Sequence, residues 1–179
     1  IIEAYYPNIN IIVVNNGSTD GTQKWLESQE IEYVYFDEGV QTVGKVLNEV
    51  IDNFDVQEYI CVIWPQVRVG KKTITAMIDT LCGNDRNGVA GCRANGQVYE
   101  QDANIRSYGD LLEIENTSME DNDFEVVGTE GLCYCFNTKI INSVGKFDEN
   151  LAYTDIMVDF QLRTLLAGYR NMISRNSYV

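Results

Sequence analysis

The residues best suited to chemistry sit in two short polar segments and in a stretch near the end of the chain. Asn15-Asn16-Gly17-Ser18-Thr19-Asp20 follows an apolar run and gathers amides, hydroxyls and a carboxylate around a glycine. A glycine there lets backbone approach a ligand closely, and the polar side chains beside it can bond a base or a ribose. Trp64-Pro65-Gln66 closes a second apolar run. The Trp64 indole can stack on a base or sugar, or pack in a core. The Gln66 side chain offers a neutral carbonyl, a weaker ligand for a hard cation than a carboxylate. Asp155, Asp159 and Arg163 add two carboxylates and a guanidinium. Asp121-Asn122-Asp123 spells D-x-D but follows no buried strand, so it reads as part of a solvated acidic loop. The chain has no histidine, which removes the commonest general base and the commonest metal ligand.

The elements that must position these groups follow from hydrophobic pattern. Ile9–Val14 is rich in β-branched residues and predicts a buried strand, stopped by the Asn15–Ser18 turn formers. Ser18, Thr19 or Asp20 can cap a helix running through Trp25 and Leu26. Ile31–Phe36 predicts a second strand, and Val43, Val46, Leu47, Val50 and Ile51 recur at helical spacing. Tyr59–Trp64 predicts a third strand, Ile74, Met77, Ile78 and Leu81 a helix, and Val89–Cys92 a short strand. Alternating strands and helices indicate a mostly parallel sheet with helices on both faces, which binds ligands at the carboxyl ends of its strands. The loops after Val14 and Ile63 are those ends. Beyond residue 95 the pattern loosens. Glu113–Glu125 holds six acidic residues and no basic one, and predicts an exposed loop. Leu132–Phe136 returns to strand character, with Thr138–Val144 and Asp159–Ala167 as short helices.

The 179 residues suit one domain, and a hydrophobic share of 45% supplies a core. A net charge of −14 disfavours nucleic acid and anionic membranes, because Lys71-Lys72 is the only adjacent basic pair. No run of 18 apolar residues exists, so no membrane-spanning helix is expected in this stretch. An odd number of cysteines, five, argues against a disulfide framework and fits a reducing compartment. Cys133 and Cys135 would share one face of a strand and read as small buried apolar residues. Without an initiator methionine, and with Ile1–Tyr6 already reading as the end of a helix or the approach to a strand, the chain reads as an excerpt of a longer protein.

Three segments together resemble the family-2 glycosyltransferases. Ile11-Ile12-Val13-Val14-Asn15-Asn16-Gly17-Ser18-Thr19-Asp20-Gly21-Thr22 is similar to that family's strand–turn motif, V-V-D-[DN]-G-S-T-D-G-T. Tyr59–Val67 stands where the family has a strand ending in D-x-D or N-P-D, with Pro65 kept and Gln66 in the place of the metal-binding aspartate. Gly145-Lys146-Phe147-Asp148-Glu149, then Asp159-Phe160-Gln161-Leu162-Arg163 and Gly168-Tyr169, resemble G-x-F-D-E … E-D-x-D-L-x-x-R … G-Y. Aligned without a gap, Asp159 and Arg163 match, and the E-D pair falls on Ile156 and Met157.

The resemblance implies an α/β fold, a single Rossmann-like GT-A domain over residues 1–179 with a mostly parallel central sheet flanked by helices. Its nucleotide-binding half would cover residues 1–95 and its acceptor-side half residues 96–179, with the family's first strand lying before Ile1. The implied activity is transfer of a sugar, with inversion, from a nucleotide-sugar donor to a hydroxyl of a carbohydrate or lipid-linked acceptor, as in polysaccharide biosynthesis. Asn15, Asn16, Gly17, Ser18, Asp20, Trp64, Pro65 and Gln66 would face the nucleotide-sugar, and Asp159 and Arg163 the acceptor or, equally, a structural helix-start pair. The family uses Mg²⁺ or Mn²⁺ to bridge the diphosphate; here Gln66 makes that metal doubtful and leaves the charge to Arg68 or Lys71. In inverting members a carboxylate of the E-D pair deprotonates the acceptor. Methionine cannot, so Asp155, two residues before Met157, would have to reach that position through a local bulge. Loss of carboxylates at Asn15, Gln66 and Met157 implies impaired chemistry or a non-catalytic, nucleotide- or sugar-binding or scaffolding module. The expected location is cytoplasmic, with any membrane contact made by parts outside this chain.

Overall fold

A computed structural model describes residues 9–29, 31–36, 40–94, 122–129 and 131–179, except the side chains of Tyr153 and Thr154. The expectations for Ile1–Tyr6, for the loop over 113–121 and for Asp121 of D-x-D lie outside the described residues. The chain divides into two compact units: Ile1–Asp55 with Phe147–Ile156, and Val56–Lys146 with Met157–Val179.

In the first unit, β1 (Val13–Asn15) runs parallel to β2 (Tyr33–Tyr35), with α1 (Thr22–Ser28) between them in sequence. β1 is shorter than the apolar run that announces it, because it pairs with β2 over three residues only. Leu26 is the buried residue of α1. Next comes α2 (Val43–Asn53), whose first amides are met at Thr42, where the hydroxyl accepts from the Lys45 N–H.

The second unit is built on a five-stranded sheet in the order β3-β6-β4-β7-β5. Its strands are β3 (Tyr59–Ile63), β4 (Asn87–Arg93), β5 (Phe124–Val126), β6 (Cys133–Asn137) and β7 (Arg170–Tyr178). Helix α3 (Thr73–Cys82) joins β3 to β4; a 3-10 turn (Thr138–Ile140), α4 (Ile141–Val144) and α5 (Tyr153–Leu166) follow β6. The α/β character is as expected, but the sheet is mixed. β4 and β7 pair in parallel, while β6 runs antiparallel to both β3 and β4, and β5 antiparallel to β7. An antiparallel strand between β3 and β4 was invisible to a local pattern, which carries no direction.

Two further differences have clear reasons. Phe124 and Glu125, expected in the acidic loop, form β5 against β7. β7 itself carries no apolar alternation, yet Asn171, Ser174 and Ser177 are buried in it. Burial is eased where polar atoms there find partners. Asn171 Nδ2 donates to the carbonyls of Val127 and Gln161, and the Ser177 hydroxyl to that of Thr73. Strand alternation sorts β6 into two faces. Phe136 packs edge-on against Phe160 of α5, with ring centres 5.4 Å apart. Cys133 and Cys135 point the other way, both fully buried as the C-x-C spacing implied.

Candidate functional site

The polar turn after β1 belongs wholly to the first unit. Asn15, the last residue of β1, is buried, and its Oδ1 accepts the Ser18 N–H at 3.0 Å. That bond folds the chain back into a tight loop. Among the described residues, the Asn15 Nδ2 is buried with no hydrogen-bond partner. An unmet buried donor is unfavourable by about 1–3 kcal/mol, so an acceptor brought by a ligand would be favoured there. Gly17 and Gly21 take φ of 75° and 93°, values open to glycine without strain, which suits the turn. Gly21, not a hydroxyl or carboxylate, is the helix cap. Asp20 instead accepts from both the backbone N–H and the hydroxyl of Thr22, at 3.1 and 2.5 Å. The Thr22 hydroxyl, then its backbone N–H, holds the Asp20 carboxyl below its usual range. Ser18 and Asp20 are exposed at the rim of the turn.

Asn16 has a different task. Its Nδ2 donates to the Gln41 carbonyl at 2.9 Å, and its Oδ1 accepts the Gln41 N–H at 2.8 Å. This amide-to-backbone clasp ties the turn to the start of α2, so Asn16 positions the loop.

Asn48 went unnoticed in the sequence and organises the rest of this unit. It is buried on α2; its Nδ2 donates to the Phe147 carbonyl at 3.0 Å and to Glu149 Oε1 at 2.8 Å, and its Oδ1 accepts the Phe147 N–H at 3.1 Å. One turn earlier, a Cβ on Gly44 would lie 2.5 Å from the Asp148 carbonyl oxygen. Helix α2 therefore seats directly on the Phe147-Asp148-Glu149 backbone. The available signal was an asparagine inside an otherwise apolar helical face, a residue that must find partners when buried.

In the second unit, β3 runs into a tight turn. The Trp64 N–H bonds the Leu132 carbonyl and the Val67 N–H returns to the Trp64 carbonyl, at 3.1 and 2.9 Å. Pro65 and Gln66 occupy the exposed corner, and Trp64 is half-buried. Among the described residues no three histidine, cysteine, aspartate or glutamate side chains gather as a metal site. With a neutral amide at Gln66, this donor set does not fit the hard divalent cation that the resemblance implied.

Asp159 and Arg163 form a half-buried ion pair on α5. Arg163 Nε donates to Asp159 Oδ2 at 2.9 Å, and Nη2 reaches the same oxygen. Nη1 donates to the Val144 carbonyl, and the guanidinium lies over the Phe160 ring with its Cζ 5.6 Å from the centroid. These bonds tie α5 to the end of α4. Met157 is buried, and a methyl on Gly131 would come within 3.2 Å of its Cγ. Asp155 is exposed in the first turn of α5. The Ile156 N–H bonds the Ala152 carbonyl as in an ordinary helix. Positions two apart differ by about 200° around a helix axis, so Asp155 and Met157 face different ways. Asp123 of the D-x-D stretch is engaged in the fold: it accepts from the Thr80 hydroxyl at 2.6 Å and from the Arg175 N–H at 3.0 Å.

The sequence model described as glycosyl transferase family 2 matches residues 1–138. No curated protein sequence matches the chain significantly. Solved structures do. A crystal structure of GalNAc-T7 with UDP, GalNAc and Mn²⁺ aligns with a TM-score of 0.71 at 7% identity, over 94% of this chain and 37% of that one. The mannosyltransferase PcManGT from Pyrobaculum calidifontis, in complex with GDP-Man and Mn²⁺, aligns with a TM-score of 0.62 at 14% identity, over 94% and 46%. TarS 1-349 of S. aureus aligns with a TM-score of 0.61 at 17% identity, over 95% and 50%. The chain thus spans half or less of each of these structures.

Proposed function

This chain belongs to glycosyl transferase family 2, and from that premise we propose that it binds a nucleotide-sugar through the Asn15–Asp20 turn and serves sugar transfer, with inversion, to a hydroxyl of a carbohydrate or lipid-linked acceptor, with chemistry weakened by its missing carboxylates. The observation that carries the reading is the buried Asn15 amide. Its Oδ1 shapes the turn and its Nδ2 is unmet among the described residues, which suits an acceptor atom on a nucleoside. Nucleotide or nucleotide-sugar ligands in two of the aligned structures support the same donor class. Five free thiols fit a cytoplasmic setting, and polysaccharide synthesis is the process in which such a domain would act.

Weakened chemistry follows from residue types. Gln66 brings no charge to the diphosphate, and Met157 cannot accept a proton. General base catalysis is worth about 10²–10⁴-fold, so transfer without it would be slow by that factor. Asp155 is the carboxylate adjacent in sequence that could still accept the proton. The test uses the full-length protein with a panel of nucleotide-sugars, with and without Mn²⁺, following binding by calorimetry and donor turnover by product release. Binding is expected for at least one donor, lost in Asn15→Ala. Slow turnover that Asp155→Asn lowers at least tenfold would support transfer. No binding to any donor sinks the proposal.

The burial of Met157 against Gly131 favours a second reading, a non-catalytic nucleotide- or sugar-binding or scaffolding module. It predicts the same donor binding with no turnover above the uncatalysed rate and no effect of Asp155→Asn.

A further inference from the structure

Cys61 on β3 and Cys135 on β6 are register partners across an antiparallel pair. The Trp64 N–H bonds the Leu132 carbonyl, and the Thr138 N–H bonds the Glu58 carbonyl. Antiparallel pairs alternate between hydrogen-bonded and non-hydrogen-bonded. Stepping by two from either bond makes Val62–Tyr134 and Ile60–Phe136 hydrogen-bonded pairs, and Cys61–Cys135 a non-hydrogen-bonded one. In such a pair the Cα atoms are about 4.5 Å apart and the side chains lean together. A disulfide spans Cα separations of about 4.4–6.8 Å. The two sulfurs are already in contact at 2.7 Å, and both are free thiols.

The other three cysteines lack one of the two requirements, a facing thiol or access. Cys92 and Cys133 are wholly buried, and Cys92 donates to the Cys133 carbonyl. Cys82 is exposed but bonds the Tyr59 hydroxyl at 3.2 Å. Cys61 alone combines partial exposure, on a strand at the edge of the sheet, with a facing thiol.

We propose that Cys61 and Cys135 form a redox modification site, closed into a cross-strand disulfide by a small peroxide and reopened by a thiol reductant. The Cys61 thiolate attacks one peroxide oxygen and becomes a sulfenic acid as hydroxide leaves and is protonated to water. The Cys135 sulfur then attacks the sulfenic sulfur, its proton leaving with the hydroxyl as a second water. Two thiols and one hydrogen peroxide thus give one disulfide and two waters, and the two electrons lost by sulfur reduce the peroxide. The bridge would fasten β3 three residues before Trp64, at the base of the Trp64-Pro65-Gln66 turn.

The experiment treats the reduced full-length protein with hydrogen peroxide, alkylates it under denaturing conditions and digests it without reductant. Two of the five thiols in this stretch should become unreactive, a peptide pair joined through Cys61 and Cys135 should appear, and dithiothreitol should restore both thiols. Cys61→Ser, a substitution at the half-buried partner that spares the buried core, should abolish the linked pair. Retention of both the Cys61 and Cys135 thiols, a bridge from either to another cysteine, or oxidation of Cys61 to a sulfinic acid with no crosslink would each overturn the proposal.

Discussion

Asn48 bridges two parts of the chain that lie 99 residues apart, with two hydrogen bonds to the Phe147 backbone and a third to the Glu149 carboxylate. Phe147 is itself buried, so its N–H and carbonyl have no water to fall back on. Asn48→Ala would take a hydrogen bond from each group. Each such loss is unfavourable by about 1–3 kcal/mol, which puts the total at roughly 2–6 kcal/mol. Urea denaturation should show a lower midpoint with an unchanged slope. A midpoint equal to that of the unaltered protein would mean that Phe147 is held by packing alone. Asn16 shows the same economy at smaller scale: both its amide atoms bond one backbone residue, Gln41. In both cases a polar residue spends its amide on holding a loop. Asn15 differs: its Nδ2 is unmet among the described residues, and it is the residue we propose to meet the ligand.

Strand β6 sets a pH dependence for the second unit. A hydrogen bond from Cys92, together with burial, pushes the Cys133 thiol up, and a hydrogen bond from Cys61, together with burial, does the same for Cys135. Unfolded thiols titrate near pH 8.5. Below that value both states hold their protons and the contribution to stability is complete. As pH rises past about 8.5, the unfolded chain releases protons that the folded chain keeps, so stability falls with pH until the folded thiols titrate. Under reducing conditions the urea midpoint should therefore drop between about pH 7.5 and about pH 9.5, and Cys135→Ala should flatten the slope. A midpoint that climbed over this range would contradict the burial of β6. Tyr59 adds to the trend at higher pH, its hydroxyl pushed up first by its bond to Cys82 and then by burial. Helix α5 is anchored differently, through Arg163, whose guanidinium joins Asp159 to the carbonyl of Val144. In this way Asp159 and Arg163 tie α5 to the end of α4.

At the scale of the whole chain, a net charge of −14 is the dominant electrostatic fact. Excess charge of one sign repels itself in the compact state more than in the expanded one. Salt shortens the reach of that repulsion from about 30 Å at 0.01 M to about 3 Å at 1 M. Salt also weakens ion pairs such as the half-buried Asp159–Arg163 pair and the longer contact from Arg170 to Glu125, but 27 acidic against 13 basic residues leave repulsion in excess. Thermal denaturation should accordingly give a higher midpoint in about 0.5 M NaCl than in about 0.01 M. An unchanged or lower midpoint would mean that the acidic groups are compensated locally. No helix among the described residues is long and apolar enough to cross a membrane.

The amino-acid sequence by itself determined the local elements and the family. β3 and β6 came from short runs of β-branched and aromatic residues, α2 and α3 from apolar residues at helical spacing, and the first turn from a string of residues that favour turns. These signals are legible because they depend on neighbours within one or two turns of chain. Only the tertiary structure decided the rest. The sheet became mixed because β6 inserts antiparallel between β3 and β4, a pairing made across distant sequence. β7 entered the core despite its polar residues, with the Asn171 Nδ2 and the Ser177 hydroxyl bonded to carbonyls of α5 and α3, and no local pattern encodes those partners. The same holds at the site. Resemblance to the family's motifs set Asn15, Gln66 and Met157 against its carboxylate positions. The fold decided that Asn15 is a buried amide with a free donor among the described residues, that Gln66 sits on an exposed turn, and that Met157 lies in the core while Asp155 faces solvent. Residue type limits what chemistry a position can do; burial and unmet hydrogen bonds decide whether it is placed to do it.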